Sequence, residues 1–226
     1  MTVAVIIVAA GRGTRMGSER PKQYLSLGTS TPIRLSIDAF LRVPAVHWVV
    51  PVIHPGDVAL FHEALGDLSD DRLRPPVDGG ATRAFSVREG LESLQDAQPD
   101  QVLIHDAARP FISEQIISEV ITALHTSEGA CAALPVVDAL WSSDGRLAKD
   151  PIPREGLWRA QTPQGFRYHS ILQAHRTHDG TGADDVAVAR QAGMQVTLVP
   201  GSEQNYKITT QADYERAKRD IQTLSE

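Results

Sequence analysis

Arg12, Arg15, Arg20 and Lys22 crowd into one short stretch near the start of the chain, interleaved with Gly11, Gly13 and Gly17. Glycine lets backbone N–H groups come close to an anion, and successive N–H groups form a concavity that holds phosphate. Just upstream, Val3 to Val8 is a continuous apolar, β-branched run, the pattern of a strand buried on both faces. A strand that empties into a glycine loop rich in cations suits a polyphosphate. Two better-known phosphate loops do not fit. A P-loop fails because Gly17 is followed by Ser18 and Glu19, and the dinucleotide fingerprint fails because Met16 stands at its last position. Taken alone, Gly11 and Gly13 suit a plain turn equally well. The surrounding cations favour the anion.

Further along, Asp78-Gly79-Gly80-Ala81-Thr82-Arg83 precedes a helical pattern, so the turn is either an ordinary helix entry or a set of N–H donors for a ligand. Val102-Leu103-Ile104 runs into His105-Asp106-Ala107-Ala108-Arg109-Pro110. An aspartate at the carboxyl end of a strand sits where α/β sheets bind ligands, and magnesium needs only one or two carboxylates beside substrate phosphates. A turn cap is the other reading of Asp106, and a surface ion pair that of Arg109. His175 and His178 lack a third ligand and read as a solvated helix end. Asp184 and Asp185 read as charges at a helix N-terminus. Cys131, flanked by alanines, reads as a small buried hydrophobe.

These residues need elements to position them. Thr31-Pro32 opens an amphipathic helix with Ile33, Ile37, Phe40 and Leu41 on one side, ended before Pro44. Val46 to Ile53 is a second strand, a helix runs from Pro55 to about Leu65, and Ser69 to Pro76 is a loop or short strand. A helix carrying Phe85, Val87, Leu91 and Leu94 follows. Ser113 caps another with Ile116, Ile117, Val120, Ile121 and Leu124. Ala130 to Val137 is a strand. From Asp138 to Trp158 the chain turns polar, with Asp144-Gly145 as a hairpin turn, and reads as a β-arm that makes a dimer contact. Gln161 to Phe166 leads into a helix from about Tyr168 to His175, and Asp184-Asp185 begins one ending at Gly193. Gln195 to Val199 is a strand, Asn205 to Ile208 a short one, and Thr210 caps a last helix from Gln211 to about Leu224.

The alternation predicts an α/β fold: a Rossmann-like, three-layer α/β/α arrangement, mostly parallel, with right-handed crossovers and the projecting arm at about 138–158. The 226 residues read as a single domain. A net charge of −6 argues against a general nucleic-acid binder. No apolar run approaches the roughly 20 residues of a membrane span, and no signal peptide opens the chain, so a cytoplasmic enzyme is expected.

In chain order, AAGRGTRM, PKQY, GG-x-x-R, HDAARPF, GLWRAQTPQGF, the Asp184-Asp185 helix and NYKITT resemble the 2-C-methyl-D-erythritol 4-phosphate cytidylyltransferase family of nucleotidyltransferases along the whole chain. The resemblance implies that the polyol phosphate attacks the α-phosphorus of CTP and releases pyrophosphate. It places Ala9, Ala10, Gly11, Gly13, Gly80, Ala81, Ser86 and Ala107 on the nucleotide side. It implies Arg15 and Lys22 as transition-state stabilisers and Asp106 as the ligand of Mg2+ or another divalent cation. Asp106, Arg109, Thr162 and Lys207 fall to the polyol phosphate, with Lys207 also catalytic. Arg154 would be carried on the arm into a neighbouring subunit's site, making the enzyme a homodimer. Ala81 replaces a common aspartate, and Ala139 and Ala183 replace common threonines; each lost hydroxyl contact costs roughly 0.5–1.5 kcal/mol. The rivals are a cytidylyltransferase for another polyol phosphate, such as ribitol 5-phosphate, and a non-catalytic CTP-binding relative. Some relatives continue into a cyclodiphosphate synthase domain; a stand-alone enzyme is expected here. Arg12 and Arg20 are left as surface charges.

Overall fold

Strand β1 (Val3–Ala9) lies inside the sheet and defines its two faces. Val3, Val5 and Ile7 point into one apolar cluster, Ala4 and Ile6 into another, the period-two alternation of a strand covered on both sides. The structure is a computed structural model describing residues 1–12 and 20–224. Strands β2 (Val46–Ile53) and β4 (Gln101–Asp106) flank β1 in parallel, and the short β3 (Val77–Asp78) lies outside β2. Beyond β4 come β8 (Trp158–Arg167), antiparallel to it, then β5 (Gly129–Pro135) and β9 (Val196–Pro200). The seven-stranded order is β3-β2-β1-β4-β8-β5-β9. Two antiparallel steps restore direction, so β8 alone runs against the rest. The sheet is mostly parallel, as its sequence predicts.

Helices α1 (Pro32–Leu41), α2 (Val58–Leu65) and α4 (Glu114–Ala123) cover one face with Ile33, Ile37, Phe40, Phe61, Ile117 and Val120. Helices α3 (Arg83–Glu92), α5 (Tyr168–Thr177) and α6 (Asp185–Gln191) cover the other with Val87, Leu91, Ile171 and Val188. Each such side chain stabilises the fold by about 1.5–3 kcal/mol. The expected caps are in place: Thr31 Oγ1 accepts from Arg34 N and Ser113 Oγ from Ile116 N, both at 3.3 Å. On α7 (Gln211–Leu224), Thr210 Oγ1 accepts from Asp213 N while Asp213 Oδ2 accepts from the amides of Thr209 and Thr210, a reciprocal cap.

Four expectations change. Gln161 to Phe166 is not a lead-in but part of β8, in the interior of the sheet. Asn205 to Ile208 is not a strand: Ile208 N donates to Ala108 O, and side chains hold the rest. The strand expected through Val137 stops at Pro135. His175 is not solvated but buried, with Nε2 3.3 Å from Asp185 Oδ1.

The arm is β6 (Leu140–Asp144) and β7 (Leu147–Ile152), which pair only with each other. Their loop is Gly145-Arg146, and Gly145 takes φ +61°, a value that favours glycine. Trp141 and Leu147 are 56% and 75% exposed. Cys131 is buried in β5, and burial pushes its thiol up to about 12, far from nucleophilic use. Among the described residues no helix is long and apolar enough to cross a membrane.

Candidate active site

Parallel strands bring their carboxyl ends to one edge, and β1, β2, β3 and β4 there deliver Ala9-Ala10-Gly11-Arg12, His54-Pro55, Gly79-Gly80 and Asp106-Ala107-Ala108 to one cleft of about 640 Å³. Because β8 runs the other way, its early residues, Gln161 and Thr162, reach the same edge. They line an adjoining recess of about 200 Å³, which shares Arg83, Asp106 and Lys207 with the cleft.

The first wall is made of backbone. Gln23, buried after Lys22 in a single 3-10 turn (Lys22–Tyr24), donates its amide to Ala9 O at 2.5 Å and Gly11 O at 3.0 Å. With both carbonyls held inward, the chain after β1 is pinned against the sheet. Among the described residues, a Cβ on Gly11 would meet no atom within 4 Å beyond its own chain neighbours, so its bareness leaves room on the open side. Gly79 is different: a Cβ there would fall 2.3 Å from Ala10 Cβ, so the two loops touch because Gly79 has no side chain. Gly79 N donates to Ile53 O at 2.7 Å, and Ser86 Oγ to Thr82 O at 2.9 Å, tightening the turn into α3.

The second wall is made of charge. Asp106 carries Lys207 Nζ on Oδ2 at 2.8 Å, Arg83 Nε on Oδ1 at 3.2 Å and Arg109 Nε more distantly at 3.8 Å. Burial alone would raise its pKa; the cations, Arg83 first, outweigh that and hold the carboxyl well below the usual range. Arg83 also reaches Asp185 Oδ2 at 2.8 Å, so one guanidinium ties α3 to β4 and α6. Burial would lower the pKa of Arg83, but Asp185 and Asp106 raise it above the ordinary value. Arg109 Nη1 donates to Asn205 O at 2.7 Å, and buried Asn205 Nδ2 donates to Thr162 O at 2.8 Å. Lys22 Nζ donates to Ile208 O at 2.7 Å, so Lys207 sits in a segment clipped on both sides. His105, fully buried, has its pKa pushed down to about 4 by burial and stays neutral.

Of the residues singled out from sequence, Ala9, Ala10, Gly11, Lys22, Gly80, Ala81, Ser86, Asp106, Ala107 and Lys207 line the cleft. Arg109 and Thr162 line the recess with Asp106 and Lys207. Gly13 and Arg15 lie outside the described residues. Arg154 is exposed beyond the arm, donating Nη1 to Val137 O, and does not line its own chain's cleft. Arg20 pairs with Glu63 at the surface. Arg12 departs from its sequence reading: half-exposed, it lines the cleft and is anchored on buried Asp57 at 2.8 Å. Gln23, His54 and Gln161 also line the two cavities without having been singled out, and Asp184, the helix N-terminal charge expected from sequence, lines the recess while its side chain accepts from Ala187 N. The strand-end rule points to His54, which follows β2; nothing in the spacing points to the glutamines.

No three His, Cys, Asp or Glu side chains among the described residues group to hold a metal. Asp106 stands as a single ionised hard-oxygen donor, which does not suit zinc. It fits magnesium, which takes one or two carboxylates and completes its shell with phosphates and water.

Glycine loops, fixed cations and an ionised aspartate at the carboxyl ends of a Rossmann-like sheet define an α/β nucleotide-binding protein. Residues 3–222 match the family model described as IspD: 2-C-methyl-D-erythritol 4-phosphate cytidylyltransferase, and the chain belongs to that family. A 2-C-methyl-D-erythritol 4-phosphate cytidylyltransferase of Cereibacter sphaeroides is 47% identical over 97% of this chain and 96% of its own. A bifunctional enzyme IspD/IspF of Rhodospirillum rubrum is 50% identical over 96% of this chain, which spans 56% of that protein's length. The crystal structure of a 4-diphosphocytidyl-2C-methyl-D-erythritol synthase from Anaerococcus prevotii superposes with a TM-score of 0.84 at 29% identity, covering 98% of this chain and 96% of that one.

Proposed function

We propose that the chain transfers the cytidylyl group of CTP to 2-C-methyl-D-erythritol 4-phosphate, giving 4-diphosphocytidyl-2-C-methyl-D-erythritol and pyrophosphate. The observation that carries this reading is one cleft with a backbone-lined wall facing a charged wall around Asp106. A phosphate oxygen of the polyol bonds to the α-phosphorus of CTP. The bond from that phosphorus to the oxygen bridging to the β-phosphate breaks, and its electron pair leaves with pyrophosphate. The attacking phosphate is already largely dianionic near neutral pH, its second pKa being about 6, so no side chain has to take a proton. What the protein must supply is fixed positive charge for two polyanions.

The Ala9-Ala10-Gly11 and Gly79-Gly80 backbones, with Ala81, Ser86 and Ala107, receive the nucleotide. Gly13, from the neighbouring stretch, belongs with them on the nucleotide side, while Lys22 and Arg15 stabilise charge on the α-phosphoryl group and the departing pyrophosphate. Arg109, Thr162 and Lys207 form the polyol phosphate side. Asp106 would hold Mg2+, which when bound neutralises charge on the triphosphate. Arg154 serves a second copy's cleft, so the working unit is a homodimer joined through the arm, whose Trp141, Leu147 and Ile152 side chains stand exposed in the protomer.

Pyrophosphate release from CTP and magnesium should appear with 2-C-methyl-D-erythritol 4-phosphate as acceptor. Release only with ribitol 5-phosphate would overturn the substrate, and CTP binding without release would overturn the activity. Arg154→Ala and Lys22→Ala proteins should each be nearly inactive, and mixing them should recover about a quarter of the wild-type rate, since half of each mixed dimer regains an intact site. No recovery despite subunit exchange would refute the shared site.

A further inference from the structure

His105 has no part in the reaction as written, yet it lies between residues that do. It is fully buried in β4, edge-on to the Phe40 ring with centroids 4.9 Å apart. Its Nε2 is 3.1 Å from Arg109 O, and its Nδ1 is 3.1 Å from Thr162 Oγ1. The same hydroxyl oxygen is 3.1 Å from Asp106 N. For a neutral imidazole these contacts admit one set of proton positions. A carbonyl oxygen only accepts, so Nε2 carries the proton. The other nitrogen is then bare and accepts from the Thr162 hydroxyl. A backbone N–H only donates, so the Thr162 oxygen accepts from Asp106 N.

We infer that His105 is a positioning residue: its Nε2–H form links Arg109, Thr162 and Asp106 in one directional chain, its bare Nδ1 accepting the hydrogen bond of the Thr162 hydroxyl. The chain runs from Asp106 N–H to Thr162 Oγ, from the Thr162 hydroxyl to His105 Nδ1, and from His105 Nε2–H to Arg109 O. Thr162 therefore has no proton left for the phosphate of the second substrate. Its hydroxyl fixes where Asp106 begins its turn, and donation to the anion falls to Arg109 and Lys207. Asn205 closes the frame from the other side, holding Thr162 O through its side chain and Arg109 Nη1 through its carbonyl.

The naming of the second substrate rests on the proposed function; the proton arrangement does not. The imidazole nitrogen chemical shifts of the unliganded full chain near neutral pH should show His105 protonated on Nε2 and bare on Nδ1. A proton on Nδ1, or on both nitrogens, would overturn the inference. So would a change of tautomer on adding 2-C-methyl-D-erythritol 4-phosphate, because Thr162 would then be turning its proton to the substrate. Thr162→Val should raise KM for the polyol phosphate about tenfold while KM for CTP moves less than about threefold, and should disturb the His105 shifts. Thr162→Ser should restore both. A Thr162→Val enzyme with unchanged shifts and unchanged KM would refute the relay. Should that variant fail to fold, the wild-type spectrum and the serine variant decide. An Nδ1–H signal in a protein active on this substrate removes the relay alone; an Nε2–H signal in a protein active only on another polyol phosphate removes the substrate alone.

Discussion

The two walls of the cleft are built of different material. Beside β1, β2 and β3 the lining is main chain, made accessible by Gly11, Gly79 and Gly80 and held by the buried amide of Gln23. Beside β4 and β8 it is side-chain charge: Asp106 under Arg83, Lys207 and Arg109. Main-chain donors are fixed by the fold and tolerate change in exposed side chains, but fail when a support or a bare Cα is altered. A charged wall behaves in the opposite way. Lys22 belongs to the seam, because its turn also carries Gln23 while its ammonium holds Ile208 O.

The seam should give the largest effect. Lys22→Ala should lower kcat by about 10²- to 10³-fold with only a modest change in CTP affinity, the signature of a group that acts in the transition state. Measuring kcat and CTP binding separately checks this; a rise in KM with normal kcat would place Lys22 on the nucleotide wall instead. Next comes Gln23→Leu, which leaves the carbonyls of Ala9 and Gly11 without their donor. It should raise KM for CTP about tenfold and leave KM for the polyol phosphate unchanged. Equal effects on both substrates would erase the distinction between the walls.

The smallest effect concerns the charged wall and acid. Burial would raise the pKa of Asp185, but Arg83 and His175 outweigh it and hold the carboxyl below its ordinary value. Depressed in the folded state, this group stabilises the protein above the ordinary carboxylate range and loses that contribution as pH falls through the folded value. The urea midpoint of the wild type should therefore decline below about pH 4 more steeply than that of Asp185→Asn. Parallel slopes would mean that Asp185 is not held by Arg83.

The backbone wall was legible in the sequence because its signals are local. A β-branched run, a glycine loop and a Gly-Gly turn each announce themselves within a few residues, and Ala9, Gly11 and Gly80 meet in the cleft. The charged wall was legible only as a set of residue types. Arg83 lies between Asp106 and Asp185 across long separations in sequence, so no spacing exposes the bridge. Strand β8 stayed hidden because Gln161, Thr162, Pro163, Gln164 and Gly165 show no apolar alternation and, Thr162 apart, no β-branched residue. Their polar atoms are satisfied by distant partners instead, such as Gln164 Oε1, which accepts from Asp185 N and Val186 N at 3.0 Å. The stretch from Asn205 to Ile208 misled in the opposite sense: Tyr206 and Ile208 look strand-like, but among the described residues no strand pairs with them.

The reversed strand β8 also bears on how the chain assembles. It fills the slot between β4 and β5, so β5 and β9 join β1 and β4 only through it. Pairing β8 with β4 closes the long loop that carries β5 and the arm, and that closure has an entropic cost. Amide hydrogens of β5 and β9 should lose protection together with those of β8, while β1, β2 and β4 can hold theirs longer.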